Sequence, residues 1–468
     1  MKSPLVLLAA TLTLTACKVG PNFQFPSLTG GHTWKEGKVS GHERLPDAWW
    51  RLFGDSELNR LEERALSANN DLSAAKSRFD TARALVGVDR ARLFPTLGIS
   101  GSGGISRQSS DSVTSNVPSA FASAIPLENQ RYRSTFNLAY DPDLWGRNKR
   151  LIEASSADAA ASAALVDAQR LGIATEVARQ YFLLRGLDTQ ESVLNETLKT
   201  RKQSLDLQKS KTDAGLTDGI ATSSARTELE LANNDLASVQ RQRGAAEHAL
   251  AVLCGMRPSD FSVSHGKSSG RLPSIRPGLP ADVLARRPDV RASEQNLRAA
   301  NARIGVAESA FYPNLSLSGD AGFESLDITR FLNLENRVLS IGANIAAPIF
   351  DGGTNQANYK AARSRYDEAL ATHRQTLLVA LREVEDALVD MKGLAISHGA
   401  LERALASARD TKRLTGERYD KGLNTYLDVV ETDRTILQIE LSLSQIEAQQ
   451  RITLAALAKA LGGGWDGK

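Results

Sequence analysis

The chain has 468 residues, a formal net charge of +3 and 24% charged residues. A balance so close to neutral, with no basic run and no interleaving of aromatic and basic residues, argues against a nucleic-acid partner. Length alone would suggest two to four domains, but the order of the predicted elements points to two similar halves instead.

The first residues carry an address. Met1-Lys2 precedes an apolar stretch from Pro4 to Leu14, too short to span a bilayer as a stable helix, so residues 1–16 read as a signal peptide and the chain as exported. Leu14-Thr15-Ala16-Cys17 places Leu at minus three, a small residue at minus one and Cys at plus one. That resembles a bacterial lipobox, with a covalent lipid on Cys17; an ordinary small-residue cleavage site that happens to end in Cys is the alternative. Lys18, rather than Asp, follows Cys17, which favours outer-membrane delivery of a lipid-anchored segment over 17–54. Cys254 is the other cysteine, so no disulfide is expected, and its apolar helix end suits a small packing residue.

A first repeat is expected over 55–254, with helices, strands at about 96–106 and 131–140, and a long hairpin over 148–254. No apolar run reaches the 18 or so residues of a membrane-spanning helix, so membrane insertion would use strands. Leu97, Ile99, Gly101 and Gly103 alternate with Thr96, Ser100 and Ser102. Tyr132, Phe136, Leu138 and Tyr140 alternate with Arg131, Arg133, Thr135 and Asn137. Such segments fit a membrane barrel, apolar to lipid and polar to lumen, but a soluble sheet half-buried on a core has the same period. Residues 148–212 contain no proline and would span roughly 95 Å as one helix. They turn at Asp213-Ala214-Gly215-Leu216 and return as a helix of about 40 residues ending near Gly255.

Residues 255–285 are rich in Pro and Gly and read as a linker. A second repeat then covers 286–468, with strands at about 314–323 and 338–347 and a hairpin over 353–461. In it Leu315, Leu317, Ala321 and Phe323, and Leu339, Ile341, Ala343 and Ile345, supply the apolar alternation. The turn here is Asp420-Lys421-Gly422-Leu423.

The two halves match directly. At a spacing of 218 residues Asp71/Asp289, Gly87/Gly305, Pro95/Pro313 and Gly104/Gly322 pair; at 207, Asp213/Asp420, Gly215/Gly422, Leu216/Leu423 and Gly255/Gly462 pair. The change of about 11 residues is expected in the loop joining the first strand pair. Solenoid repeats run only about 20–50 residues, so the pattern means two large halves related by a pseudo-twofold. Four strands cannot close a membrane barrel, which needs about eight or more, so several chains would have to pool theirs. On the last helix Val429, Ile436, Ile439, Leu443, Ile446 and Leu457 form one seam, and Val430, Leu437, Leu441, Ala448 and Ala455 another. Two seams mean two neighbours, as in the wall of a cylinder, although a plain four-helix bundle also uses such stripes.

The stretch Leu284-Ala285-Arg286-Arg287-Pro288-Asp289-Val290-Arg291, running on through Ala302-Arg303-Ile304-Gly305-Val306 to Phe311-Tyr312-Pro313, resembles the outer membrane factor family, the TolC-like tunnel proteins of tripartite efflux pumps. Cys17 to Phe23, Trp49-Trp50-Arg51-Leu52-Phe53-Gly54-Asp55, Asp143-Leu144-Trp145-Gly146-Arg147 and Pro348-Ile349-Phe350-Asp351-Gly352-Gly353 resemble its lipoprotein branch, the NodT type that serves resistance-nodulation-division pumps. The order of these motifs over nearly the whole chain is what makes them specific.

The resemblance implies a mainly α protein with a small membrane β part. It implies a homotrimer, with a twelve-stranded outer-membrane barrel, four strands from each chain, continuous with a long periplasmic α-helical barrel. The implied function is a passive, gated exit duct for small molecules, working with a periplasmic adaptor and an inner-membrane pump. Beyond the Cys17 lipid no cofactor or metal is implied. A protein-secretion duct and a structural periplasmic spacer are the alternatives. No His-Glu-x-x-His, Gly-x-Ser-x-Gly or phosphate-cradling Gly loop occurs, so conduction rather than catalysis is expected.

The family pattern places gate carboxylates at Asp428 and Glu431, three apart on one helix face, so that threefold symmetry would gather six at the constriction. A solvated helix-start pair favoured by the macrodipole is the other reading. Tyr419 matches an aromatic that ties inner to outer helices, and Asn424 stands where the family has a basic residue. Ala221 stands where a carboxylate partner of the lock is common. Asp213, Gly215, Leu216, Asp420, Gly422 and Leu423 form the expected adaptor-docking tips.

Overall fold

The computed structural model describes residues 18–25, 33–36, 45–109, 111, 126–268, 272–275, 278 and 280–464. Cys17 and the expected signal segment lie outside them. After a 3-10 turn at Trp49–Phe53 come α1 (Ser56–Ala68), α2 (Asn70–Ala91), β1 (Thr96–Arg107), β2 (Glu128–Tyr140), α3 (Arg147–Asp213) and α4 (Gly219–Leu253). A linker with the short α5 (Pro280–Arg286) leads to α6 (Pro288–Ser309), β3 (Asn314–Ser325), β4 (Arg337–Ala346), α7 (Thr354–Asp420) and α8 (Tyr426–Ala460).

The duplication is visible in element lengths. α2 and α6 each have 22 residues, β1 and β3 each 12, α3 and α7 each 67, and α4 and α8 each 35. At 1.5 Å per residue α3 and α7 are each about 100 Å long. They begin by the same device. The Asp143 carboxylate accepts from the N–H groups of Asn148 and Lys149 at 3.0 and 2.9 Å, and Asp351 accepts from Gly353 and Asn355 at 2.9 and 2.8 Å. The extra length of the first half sits mainly between β1 and β2, where residues 108–127 answer to 326–336, and partly in β2, which has 13 residues against 10 in β4. The second loop carries two short 3-10 turns, Ile328–Arg330 and Leu334–Asn336. The return helices are about five residues shorter than the spacing suggests, because Asp218 and Thr425, rather than the tip residues, are their N-caps.

The chain forms two compact units, and neither follows the repeat boundary. One contains residues 1–25, 80–160 and 295–371; the other contains 26–79, 161–294 and 372–468. The first holds the sheet, antiparallel throughout in the order β1-β2-β3-β4. Its register puts Leu97 opposite Leu138, Ile99 opposite Phe136, Leu138 opposite Gly319, and Leu315 opposite Ile345, so every apolar position of the alternation falls on one face. On β1 and β4 that face is bare, with Ile341 85% exposed, Leu339 76% and Leu97 71%, while Leu315, Leu317 and Phe323 of β3 are half-buried. A soluble sheet would cover such a face with core, so the half-buried alternative does not hold within this chain. Among the described residues the outer edges of β1 and β4 are unpaired.

The second unit holds the main core. Trp49, Trp50 and Phe53 pack with Leu58, Leu61 and Ala65 of α1, with Tyr181 and Phe182 of α3, and with Leu250 and Leu454. α1 starts at Asp55, whose Oδ1 accepts from the N–H groups of Glu57 and Leu58 at 3.1 Å and from the Tyr181 hydroxyl at 2.7 Å. Where α3 meets α8, a Cβ on Gly186 would lie 2.7 Å from Ala448 Cβ, so the close approach requires glycine. On α8 the seam of Val430, Leu437, Ala448 and Ala455 is buried, with Leu441 half-buried, while Val429, Ile436, Ile439, Leu443 and Ile446 remain half-exposed and Leu457, the last of that seam, is buried. One seam is thus largely filled by the chain itself and the other is left open from Val429 to Ile446, which favours the wall over the closed bundle. Cys254 is buried, and burial pushes its thiol up to about 11, as suits a packing residue.

Candidate functional site

The long helices of the second unit end in two matched tips. After α3, Leu216 N–H donates to Lys211 O at 2.9 Å and Gly215 N–H to Thr212 O at 2.9 Å; after α7, Leu423 donates to Arg418 O at 2.9 Å and Gly422 to Tyr419 O at 2.8 Å. This is the Schellman closure, and it needs the left-handed backbone of Gly215 (φ 68°) and Gly422 (φ 74°). Asp213 and Asp420 are the last helical residues before each turn. Leu216 and Leu423 point to solvent, 77% and 64% exposed, with Ile220 and Leu427 exposed one turn further on. Bare leucines on rigid closures are what a docking tip requires.

The second tip carries the expected gate residues. Asp428 is the third residue of α8, and its Oδ2 accepts from the Thr425 N–H and the Thr425 hydroxyl, each at 2.8 Å, completing a capping box. The Thr425 hydroxyl and N–H hold the Asp428 carboxyl below the usual range. Glu431 is exposed one turn on, 3.8 Å from Arg434 Nη1. Both carboxylates therefore share a helix face and are solvated. Asp428 also has a structural duty that spacing alone did not show.

Tyr419 joins the two long helices. Its hydroxyl accepts from Gln208 Nε2 at 3.2 Å and Lys211 Nζ at 3.4 Å, and the Lys211 ammonium lies 4.9 Å from its ring centre. Asn424 Oδ1 accepts from Arg418 Nε at 2.9 Å, so it closes the local turn. Ala221 is half-buried at the start of α4 and offers no carboxylate.

Sequence reasoning missed a carboxylate that ties α4 to α3 and α8, Glu228. Its side chain is buried and meets Arg201 of α3 at 3.1 Å and Arg434 Nε of α8 at 2.8 Å. The signal was available: Ala225, Glu228, Ala232 and Val239 share one buried face, and a charge within an apolar seam calls for buried partners. Asp188, Glu191 and His265 also gather in this unit. Asp188 already accepts from Arg243 Nε at 2.7 Å and Arg185 Nη1 at 2.9 Å, so its carboxylate is committed to buried ion pairs, while the exposed His265 pairs with Glu191 at 3.1 Å.

In the first unit the segment just after Cys17 is pinned where β2 gives way to α3. Val19 N–H donates to Trp145 O at 3.1 Å, and the buried Arg150 donates to Val19 O, Gly20 O and Asn22 Oδ1 at 2.9, 2.7 and 3.1 Å. Trp145 stacks on Tyr312 at the same end of the sheet, with ring centres 4.9 Å apart.

A lipid-facing sheet with open edges, joined to long paired helices, defines the subunit of an outer-membrane channel. The model for "Outer membrane efflux protein" matches residues 61–256 and 279–463. The chain belongs to the outer membrane efflux protein family. It is 31% identical over 466 residues to the outer membrane protein OprJ of Pseudomonas aeruginosa, covering 98% of this chain and 95% of OprJ. It is 30% identical over 474 residues to the cation efflux system protein CusC of Escherichia coli, covering 99% of each. The crystal structure of the Campylobacter jejuni CmeC outer membrane channel superposes with a TM-score of 0.89 at 26% identity, over 96% of each chain.

Proposed function

We propose that three copies of this chain close a twelve-stranded outer-membrane barrel and form a passive, gated exit duct for small molecules, docked by its helical tips onto a periplasmic adaptor and an inner-membrane pump. The sheet carries the reading. Its apolar face is bare on β1 and β4, and among the described residues the outer edges of those two strands are unpaired, an arrangement tolerable in hydrocarbon only if the sheet closes on further strands. The half-exposed seam of α8 leaves room for a neighbouring copy, and the solvent-facing leucines of the tips offer the adaptor an apolar foothold.

Asp428 and Glu431 are the gate carboxylates in this reading. Three copies bring six together, whose mutual repulsion is relieved by bound cations or by opening. Tyr419 and the Glu228 bridge resist that opening. A lipid on Cys17 would enter the bilayer at the helix end of the sheet, where Arg150 fixes the following residues. The chain acts by conduction, without a catalytic centre.

Purified protein in a planar bilayer tests this. A small, cation-selective conductance is expected, rising when Asp428 and Glu431 are both replaced by alanine. Silence from both proteins would falsify the duct. Deletion in the cell is expected to raise sensitivity to small toxic compounds.

A further inference from the structure

We propose that the polar face of the sheet carries two charged belts of opposite sign, an acidic belt at Asp320 and an outer, net-basic belt at Arg131, Arg133 and Glu324, and that these belts set the charge selectivity of the exit. The proposal rests on the trimeric duct, which turns this face towards the lumen.

Across all four strands, the polar-face positions carry four charged residues and otherwise Ser, Thr, Asn, Gly, Ala and Val. Asp320 lies mid-strand in β3, opposite Asn137 and Ser340. Its oxygens accept from neutral donors, Asn137 Nδ2 and, at 3.1 Å, Ser340 Oγ. Asn137 is held in turn by Ser100, whose hydroxyl donates to Asn137 Oδ1 at 2.8 Å, and its amide also donates to Thr135 Oγ1 at 3.2 Å. Asp320 is thus positioned by a chain of neutral groups that leaves its negative charge uncompensated.

Four residues along β3, towards the loops, Glu324 pairs with Arg133 at 3.3 Å and with Arg131 at 3.6 Å. One carboxylate between two guanidiniums leaves each chain with one surplus positive charge at this level. Three chains give a ring of three net positive charges and a ring of three negative ones, roughly 13 Å apart along the strand. That exceeds the Debye length of about 8 Å at physiological ionic strength, so an ion passing through meets the two fields one after the other. The connecting loops mark the outer end, so the basic belt comes last.

Reversal potentials in a KCl gradient test this, with the purified trimer in a planar bilayer and Asp428→Asn with Glu431→Gln as background, so that the tip carboxylates do not mask the barrel. Asp320→Asn is expected to lower the cation-to-anion permeability ratio by about twofold or more, as a potential change of order kT implies. Arg131→Gln with Arg133→Gln should raise the ratio. Glu324→Gln, which doubles the outer surplus charge, should lower it and serves if the arginine pair is needed for assembly. The shifts should shrink in 1 M salt, where the Debye length is about 3 Å. Conducting trimers with unchanged reversal potentials in Asp320→Asn and Glu324→Gln overturn the belts and leave the duct standing. No conductance from any variant overturns the duct, and the belts with it.

Discussion

Thr425 donates twice to one oxygen of Asp428, from its hydroxyl and from its backbone N–H, each at 2.8 Å. The proposed gate carboxylate is therefore also the reciprocal half of the cap that starts α8, and the two duties can be separated. Asp428→Asn keeps an acceptor for the N–H and removes the charge; it should raise conductance and lower cation selectivity with little change in melting temperature. Thr425→Ala should do the reverse. Equal effects on both readouts from both variants would show that the charge acts only through helix stability.

The same bonds fix the pH window. The folded-state value of Asp428 lies below its usual 3.8, so the stabilisation is present above the unfolded-state value and is lost as pH falls through the lowered folded one. Between pH 7 and pH 5 Asp428 stays ionised. The Asp428→Asn variant and the parent protein should therefore show parallel, offset conductance–pH curves across that range, converging only in stronger acid, where Asp428 also becomes neutral.

The Glu228 bridge gives the largest expected effect on the helical hairpins. Glu228→Ala strands Arg201, which is buried, and releases Arg434, whose side chain is 47% exposed. Breaking a buried pair costs about 3–5 kcal/mol, and the exposure of Arg434 places this one near the lower end. Urea unfolding should show that loss, and conductance should rise as α4 and α8 separate. Glu228→Gln, which keeps the shape and one acceptor, should fall between the two.

The architecture was legible in the sequence because it rests on periodicity and punctuation. Strand alternation at Leu97 to Gly103 and Leu339 to Ile345, and proline-free runs ended by Gly215 and Gly422, report covalent preferences that tertiary context did not overturn. The half-buried soluble sheet could be set aside only in three dimensions, since period two is blind to what covers a face. The ties between helices were less legible for the same kind of reason. Glu228 meets partners 27 and 206 positions away, and no local pattern names them, although its place among Ala225 and Ala232 marked it as needing some. Asp428 was found by family pattern, but its cap bond is set by a turn conformation three residues long.

Glu62 on α1 lies in the main core, fully buried, with no hydrogen-bond partner among the described residues on either carboxylate oxygen. Burial pushes its carboxyl well above the ordinary range, so folding favours the protonated form. With a raised folded value, its contribution is fully present below the unfolded-state value near 4.5 and is lost as pH rises through the folded one. Glu62→Leu removes an unsatisfied group worth about 1–3 kcal/mol and should raise the melting temperature at pH 7.5. The gain should shrink at pH 4.5. A gain that does not change with pH would mean that packing, rather than ionisation, is what the substitution repairs.

The sheet itself offers the sharpest test of what surrounds it. Ile341 and Asn344 lie three residues apart on β4 and therefore face opposite sides of the pleat, Ile341 with Gly319 across the apolar face and Asn344 with Ser316 across the polar one. Lysine at a lipid-facing midplane position costs a membrane barrel about 2–4 kcal/mol, whereas a lumen-facing lysine remains in water. Three copies would pay the cost together, so Ile341→Lys should abolish or sharply reduce trimers that survive detergent without heating, and should expose the chain to periplasmic proteolysis. Asn344→Lys should assemble normally and shift the channel towards anions. Equal tolerance of the two would place both faces in water, and the bare apolar register would then need a protein partner rather than lipid.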